Sequence, residues 1–175
     1  SFGKSSHTNP QLFLYINVAH NMEIEQTIKH LSNELDKALQ SDFLNYEQTK
    51  KIKSCGIYFI FQGEKVIYIG KTNRNGKTRL RELASDYRSH TLNRKFMRVL
   101  LSQVLKTDFP PLKKETKHQL ITKGILTQEQ FVSIQAKINT MIKSELRFKF
   151  YSTDSEKVIQ MEHFAIAVLN PEMND

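Results

Sequence analysis

The chain has 175 residues, of which 39% are hydrophobic, and it carries 26 Lys and Arg against 18 Asp and Glu. This length and apolar content predict one compact domain with a substantial core and exclude a second large domain. The single cysteine, Cys55, excludes an intramolecular disulfide and a cysteine-based zinc site, and it indicates a reducing compartment. The apolar run at residues 12–19 is too short to span a membrane and lacks signal-peptide features, so we expect a soluble protein.

The first third of the chain predicts a helical extension, residues 1–54, packed on a core formed by residues 55–175. Apolar residues recur at helical spacing between Met22 and Leu39, which predicts an amphipathic helix. The preceding residues 12–18 are rich in aliphatic and aromatic side chains and predict a short strand. Because the chain begins at Ser1 rather than Met, we expect a processed or excised piece.

Two apolar segments, Gly56-Ile57-Tyr58 and Tyr68-Ile69-Gly70, flank a polar loop and predict a β-hairpin. A three-residue loop, Gly63 to Lys65, would place Tyr58 opposite Gly70 and Ile60 opposite Tyr68, so that both phenols share one face of the sheet. A two-residue loop would put the phenols on opposite faces. The sequence leaves both registers open, but only the first gives the tyrosines a common site.

Basic residues are concentrated directly after the hairpin. Between Lys71 and Arg98 there are nine basic and two acidic residues, so this segment holds a surplus of seven of the chain's net charge of +8. Such a block neutralises backbone phosphates, which supplies most of the sequence-independent affinity for DNA or RNA. The predicted nucleic-acid contacts here are Gly70, Lys71, Arg74, Lys77, Arg81, Arg88, Arg94 and Lys95.

Within the basic block, residues 78–87 predict a helix with one apolar face. Arg79 borders that face, so its planar guanidinium can point back over the tyrosines and bind a phosphate through two nitrogens. Arg81 points elsewhere. Arg79 is therefore the arginine that we expect in the site.

The rest of the chain predicts an α/β (α+β) fold, a small, mainly antiparallel sheet flanked by helices. Helices are predicted at residues 92–105, in an insertion at about 112–144, and at 154–169, with a further strand around Phe148. Thr127 with Gln130, and Thr153 with Glu156, have the spacing of a capping box. The last two helices are therefore expected to begin next to these threonines.

Glu162 lies on the apolar face of the last predicted helix, so its carboxylate is expected to point inward, where an unpaired charge is costly. A Mg²⁺ ion would compensate this charge, because it accepts one carboxylate while keeping most of its waters. An ion pair with Lys or Arg would serve equally. Both interpretations stay open from this residue alone.

Taken in chain order, these elements resemble the GIY-YIG nuclease family over roughly residues 55–98 and 146–175. The resemblance implies a catalytic set of Tyr58, Tyr68, Lys71, Arg79 and Glu162, one Mg²⁺ or Mn²⁺ on Glu162, and a nucleic-acid contact at Asn174. One position departs from the family, which usually has Tyr or His four residues after its arginine, where this chain has Leu83. Tyr87 and His90 are candidate replacements, although their expected roles are a core aromatic and a solvated histidine.

The expected function is that of a metal-dependent endonuclease acting on double-stranded DNA, in the cytoplasm or bound to DNA and away from membranes. Tyr58 or Tyr68 would accept the proton of the attacking water, with a weak preference for Tyr58, and a homodimer is compatible with this activity. Neighbouring cations are expected to favour the phenolate form. The alternatives are a catalytically inactive nucleic-acid-binding module of the same fold and a basic protein-interaction domain.

Overall fold

The computed structural model describes residues 10–174, with side chains from residue 21 onward. The chain divides into two compact units, one ending at Leu39 and one beginning at Gln40, so residues 40–54 lie in the same unit as the sheet. Helix α1, Pro10–Gln40, lies in the first unit except for its last residue. The predicted strand at residues 12–18 is wrong, because these residues lie in α1. Proline is tolerated in the first turn of a helix, and neither Gly nor Pro interrupts the sequence after it.

The second unit is an α+β fold built on a three-stranded antiparallel sheet. Its strands are β1, Gly56–Gln62, β2, Lys65–Thr72, and β3, Leu146–Ser152, in the order β2-β1-β3. The strands are rich in aromatic and β-branched residues, which pack well on a pleated surface. β1 is the central strand, and β2 lies at an edge of the sheet. The predicted small antiparallel sheet, with the hairpin and the strand near Phe148, is confirmed.

The hairpin register places both tyrosines on one face, but through a turn that differs from the predicted one. Tyr58 pairs with Gly70 and Ile60 with Tyr68, whereas Gln62 pairs with Lys65, so the turn is the two residues between Gln62 and Lys65. A shift in pairing beyond Ile60 leaves Ile67 as an extra residue in β2. This β-bulge offsets the short turn and restores the register that a three-residue loop would have given. Of the two registers left open by the sequence, the structure has the one that gives the tyrosines a common face, and the expectation that a two-residue loop would separate the phenols is wrong because of the bulge.

Six helices in the described part of the second unit pack around the sheet. Two of their N-termini test the predicted capping boxes. In the second unit they are α2, Tyr46–Thr49, α3, Gly76–Leu83, α4, Thr91–Leu105, α5, Thr116–Thr122, α6, Gln128–Ser144, and α7, Val158–Leu169. The capping box at Thr127 is confirmed. The one at Thr153 is wrong, because α7 begins at Val158 after a turn in which Asp154 O accepts hydrogen bonds from the N–H groups of Lys157 and Val158.

Helices cover both faces of the sheet. On the face that carries Tyr58, buried residues of α3, α4 and α6 form one cluster with Ile60, Tyr68 and Phe148. Helix α7 contacts β1 and β2 and buries Val158, Met161 and Ala165. None of the described helices is long and apolar enough to cross a membrane. The arrangement leaves the outer edge of β2 as the place where residues from both faces of the sheet can meet.

Candidate active site

A pocket of about 330 Å³ lies at the edge of β2 and is lined by all the residues predicted to be catalytic. Tyr58 and Tyr68 come from the hairpin, Arg79 from α3 and Glu162 from α7, while Lys71 extends from the opposite face of β2. Because β2 has no neighbouring strand on its outer side, side chains from the two faces reach the same space around its edge. The rest of the lining is Thr72, Asn73 and Arg74.

Tyr58 is fully buried, and its ring lies over Gly70. A Cβ atom at residue 70 would lie 2.4 Å from both Cζ and Oη of Tyr58, so only glycine fits at this position. The ring of Tyr58 therefore fills the space beside Gly70. A nucleic-acid contact in that space, as predicted for Gly70, would need the space to be open. The rings of Tyr58 and Tyr68 are stacked, with centroids 6.3 Å apart.

His90, which we expected to be solvated, is instead buried beside the tyrosines. Its Nε2 lies 2.9 Å from Oη of Tyr58. Its Nδ1 accepts a hydrogen bond of 3.1 Å from the backbone N–H of Leu92 in the first turn of α4. A neutral histidine that accepts at Nδ1 carries its proton on Nε2, so His90 donates to the Tyr58 oxygen. Burial, together with the charges of Arg79 and Arg94, lowers the pKa of His90 to about 3, which keeps the ring neutral.

Tyr87, the other candidate replacement, is a core residue as expected. Its hydroxyl donates to the backbone oxygen of Lys114 at 2.8 Å, and its ring packs edge-on against Phe131. Besides Arg79 of α3, the tyrosine pair therefore has a second polar partner, His90, which is the residue before α4. The sequence signalled only the N-cap role of His90, because a residue with a side-chain acceptor directly before an apolar helix is a potential N-cap.

Both phenols have a raised pKa in the protein by itself, contrary to the expectation that neighbouring cations favour phenolate. Burial is the main cause at Tyr58, where the nearby Tyr68 adds to the rise and Arg79 opposes it. Burial also raises the pKa of Tyr68, again against the opposing charge of Arg79. Tyr68 keeps 8% of its surface exposed, whereas Tyr58 keeps none. Tyr68 is therefore the phenol that water in the pocket can reach.

Arg79 is held in the pocket by a neighbour that the sequence analysis did not single out. Its Nη1 donates to Oε2 of Glu82 at 3.1 Å, and the same oxygen accepts from Nη2 of Arg74 at 3.0 Å. Arg79 also lies within hydrogen-bonding reach of the Tyr58 hydroxyl. Glu82 thus fixes two guanidinium groups at one side of the pocket. Its position three residues after Arg79 on a helix was the available signal.

Glu162 points inward as predicted, and only 13% of its side chain is exposed. Lys71 Nζ forms an ion pair with Glu162 Oε2, so this lysine compensates the buried charge in the protein by itself. Among the described residues, no group of three or more His, Cys, Asp and Glu is arranged to hold a metal. Glu162 is the sole carboxylate in the pocket lining, a donor set that fits Mg²⁺ bound through one carboxylate and several waters.

Asn174 binds the edge of β2 instead of lining the pocket. Its Oδ1 accepts from the backbone N–H of Ile69 at 2.8 Å, and its Nδ2 donates to the backbone oxygen of Ile69 at 2.7 Å. The amide thus imitates a neighbouring strand between Tyr68 and Gly70. Its predicted contact with nucleic acid stays a prediction, and the observed role is to hold β2 in place.

Of the other predicted nucleic-acid contacts, Lys71 and Arg74 line the pocket. The rest, namely Lys77, Arg81, Arg88, Arg94 and Lys95, lie outside it. Arg88 pairs with Asp86 at 2.7 Å, and Arg94 donates to backbone oxygens of Tyr87 and Arg88. Lys77 and Arg81 lie on α3, and Lys95 lies on α4. The basic block is therefore distributed over the end of β2, α3, α4 and the turns between them, and only Lys71, Arg74 and Arg79 of the block line the pocket.

No family model matches the chain, and comparisons with curated proteins and with solved structures also found no match. The chemistry of the pocket is therefore inferred from its residues and their geometry. Two phenols, three cationic side chains and one carboxylate meet in a space of about 330 Å³.

Proposed function

We propose that the protein is a metal-dependent endonuclease that hydrolyses phosphodiester bonds in double-stranded DNA. The observation that carries this proposal is the convergence of Tyr68, Arg79 and Glu162 in one pocket at the edge of β2, with Lys71 beside Glu162. Hydrolysis of a phosphodiester requires cations that bind the phosphate oxygens and a base that accepts a proton from the attacking water. It also requires a positive charge that stabilises the negative charge developing on the leaving oxygen. Each of these requirements has a matching residue in the pocket.

Arg79 and Lys71 are the groups that would bind the scissile phosphate. The guanidinium of Arg79 is fixed by Glu82 and Tyr58, so it presents its nitrogens in a set direction at little entropic cost. Lys71 is a compact charge with a rotatable stem, and 32% of its side chain is exposed. Glu162 would hold one Mg²⁺ or Mn²⁺, which supplies positive charge for the leaving oxygen.

Tyr68 is the proton acceptor in this proposal. A water molecule attacks phosphorus and gives a proton to the phenolate oxygen of Tyr68, a new P–O bond forms as the bond to the leaving oxygen breaks, and the leaving oxygen takes its proton from solvent water. The raised pKa of Tyr68 makes phenolate scarce at neutral pH, yet a phenolate that does form is a strong base. Tyr58 is fully buried and receives hydrogen bonds from His90 and Arg79, so its role is to keep Arg79 in position.

Cleavage of a supercoiled plasmid, with the ends mapped by sequencing, tests the activity. We expect Glu162→Gln to abolish cleavage in Mg²⁺ while DNA affinity stays within a few-fold, because the amide keeps the shape but not the charge that holds the cation. Glu172→Gln is the matched control, since Glu172 also pairs with a lysine, Lys65 at 2.6 Å, but lies outside the pocket. Cleavage by Glu162→Gln at the wild-type rate would overturn the proposal.

A second candidate function is a nucleic-acid-binding module without catalysis. The ion pair between Lys71 and Glu162 favours it, because it compensates the buried carboxylate with no metal. Wild-type protein that binds DNA with a steep salt dependence but leaves plasmid intact in Mg²⁺ and Mn²⁺ would establish this function instead.

A further inference from the structure

A second cavity, of about 460 Å³, lies between α4 and the segment that follows α7. We call it the α4 groove. Its lining combines two basic side chains and one acidic side chain with polar and apolar ones, namely Lys95, Arg98, Val99, Ser102, Gln103, Asp108 and Met173. It shares no residue with the pocket described above.

Both walls of the α4 groove start beside Tyr68. On one wall, Thr91 at the beginning of α4 lies within hydrogen-bonding reach of the Tyr68 hydroxyl. On the other, the backbone N–H of Met173 donates to the backbone oxygen of Ile67 at 3.0 Å. Since a helix rises about 1.5 Å per residue, Lys95 and Arg98 lie roughly 6 and 10 Å along α4 from Thr91. The groove thus begins near Tyr68 and extends away from it along one face of α4.

The side chains of the groove match the mixed chemistry of a nucleotide. Val99 is 44% exposed and, with Met173, offers an apolar surface for the flat face of a base. Gln103 is exposed, and its amide can both donate to and accept from a base edge. Lys95 supplies charge for a phosphate. Arg98 is fixed through Nε to the backbone oxygen of Phe109 at 2.5 Å and through Nη2 to Asp108 at 3.2 Å.

We propose that the α4 groove binds the nucleotide adjoining the scissile phosphate on the cut DNA strand, turned out of the duplex so that its base lies on Val99 and Met173, its base edge at Gln103 and its phosphate at Lys95. This inference rests on the proposed function, because that function makes the strand the ligand of the adjacent pocket. The groove then contributes to the choice of cleavage site, whereas the pocket performs the hydrolysis.

The phosphate contact is tested by DNA binding of the full chain in the cleavage-silent Glu162→Gln background. The probe is a fluorescein-labelled duplex that contains a mapped cleavage site or, if nothing is cut, a random-sequence duplex of equal length. We expect Lys95→Gln to lower the slope of log affinity against log salt concentration by about 1. Lys137→Gln on α6 is the matched control, since it removes the same charge at an exposed position that lines neither cavity. Equal slopes for Lys95→Gln and Lys137→Gln would overturn the phosphate contact.

The base contact is tested with duplexes that lack a single base at each position around the cleavage site. We expect one position next to the cut at which base removal weakens binding by about tenfold, as loss of a stacked base does. Base removal at that position should matter less in Gln103→Ala, because the contact is then already impaired. Equal sensitivity of Gln103→Ala and the parent protein at every position would overturn the base contact. Wild-type cleavage is scored separately, so absence of activity would refute the endonuclease proposal while the binding data still decide the fate of the groove.

Discussion

The ring of Tyr58 occupies the volume that any side chain at residue 70 would need, with Cζ and Oη both 2.4 Å from the Cβ position of Gly70. The two residues face each other across β1 and β2. Since the phenol that contacts His90 and Arg79 is placed by this absence of a side chain, the position of the whole polar network depends on one glycine.

We expect Gly70→Ala to displace the Tyr58 ring and to impair catalysis strongly. Overpacking of a tight core costs about 1–3 kcal/mol, and small misplacement of catalytic groups lowers rates by orders of magnitude. Chemical denaturation and single-turnover plasmid cleavage measure the two effects. Gly63→Ala is the control, because Gly63 has a φ of 60° but open space around it. It should cost stability, about 1 kcal/mol, with no loss of cleavage rate.

Tyr68→Phe should lose more activity than Tyr58→Phe at neutral pH, because Tyr68 is the phenol exposed to the pocket. Loss of a general base typically lowers the rate by about 100- to 10,000-fold. Single-turnover rates from pH 6 to 9 are the measurement. The wild-type rate should rise with pH throughout, since the pKa of Tyr68 is raised by burial. A larger loss in Tyr58→Phe would reverse the assignment, and full activity of both variants would remove the tyrosines from the mechanism.

His90 should make the folded protein sensitive to acid. Its pKa of about 3 in the fold lies below the ordinary value of 6.5, so between these two pH values the unfolded chain binds the extra proton and stability falls as pH falls. His90→Asn keeps a side-chain acceptor for the N–H of Leu92 and removes the titrating group. Urea unfolding at pH 7 and at pH 5 gives the free energy of unfolding at each pH. The loss of this free energy between pH 7 and pH 5 should be smaller in His90→Asn than in wild type by roughly 1–2 kcal/mol. Identical pH dependence in the two proteins would contradict the buried neutral ring.

Asn174→Ala should loosen β2 at Ile69, because the variant loses both hydrogen bonds to the strand edge. Hydrogen exchange of the Ile69 amide should accelerate, and the free energy of unfolding should fall by about 1–2 kcal/mol. Asn174→Asp retains the hydrogen-bond acceptor but not the donor. Its Ile69 exchange rate and its free energy of unfolding are expected to lie between those of wild type and Asn174→Ala. Should the Ile69 amide exchange at the same rate in all three proteins, the observed contact would carry no stability.

The hairpin, the three-stranded sheet and the inward face of Glu162 could be predicted from sequence, because each depends on a local pattern of apolar residues. The contacts of His90 and Asn174 with the hairpin could not be predicted from sequence. His90 reaches Tyr58 only because the turn after α3 brings the start of α4 over the sheet, and neither residue signals that contact. The hydrogen bond between Asn174 and Ile69 was equally unpredictable, because it forms only when the chain after α7 returns to the edge of β2.

Errors of prediction arose where local patterns competed with tertiary packing. Thr153 and Glu156 have capping-box spacing, yet the chain there forms a turn at the end of β3 before α7 begins. The phenol pKa values were expected to follow nearby cations, but burial outweighs those charges. Burial depends on the whole fold, so its effect on Tyr58 and Tyr68 cannot be judged from the residues next to them in sequence.

The bulge at Ile67 lies between the tip of the hairpin and the pairs that hold the two tyrosines. Pairing from Tyr68 onward is set on the far side of the bulge, so a change of one residue in the turn can be absorbed by gaining or losing an unpaired residue there. Gly63 and Glu64 are exposed and lie outside both cavities. The turn between β1 and β2 is therefore a suitable insertion point for a fluorophore or an affinity tag that leaves both cavities unchanged.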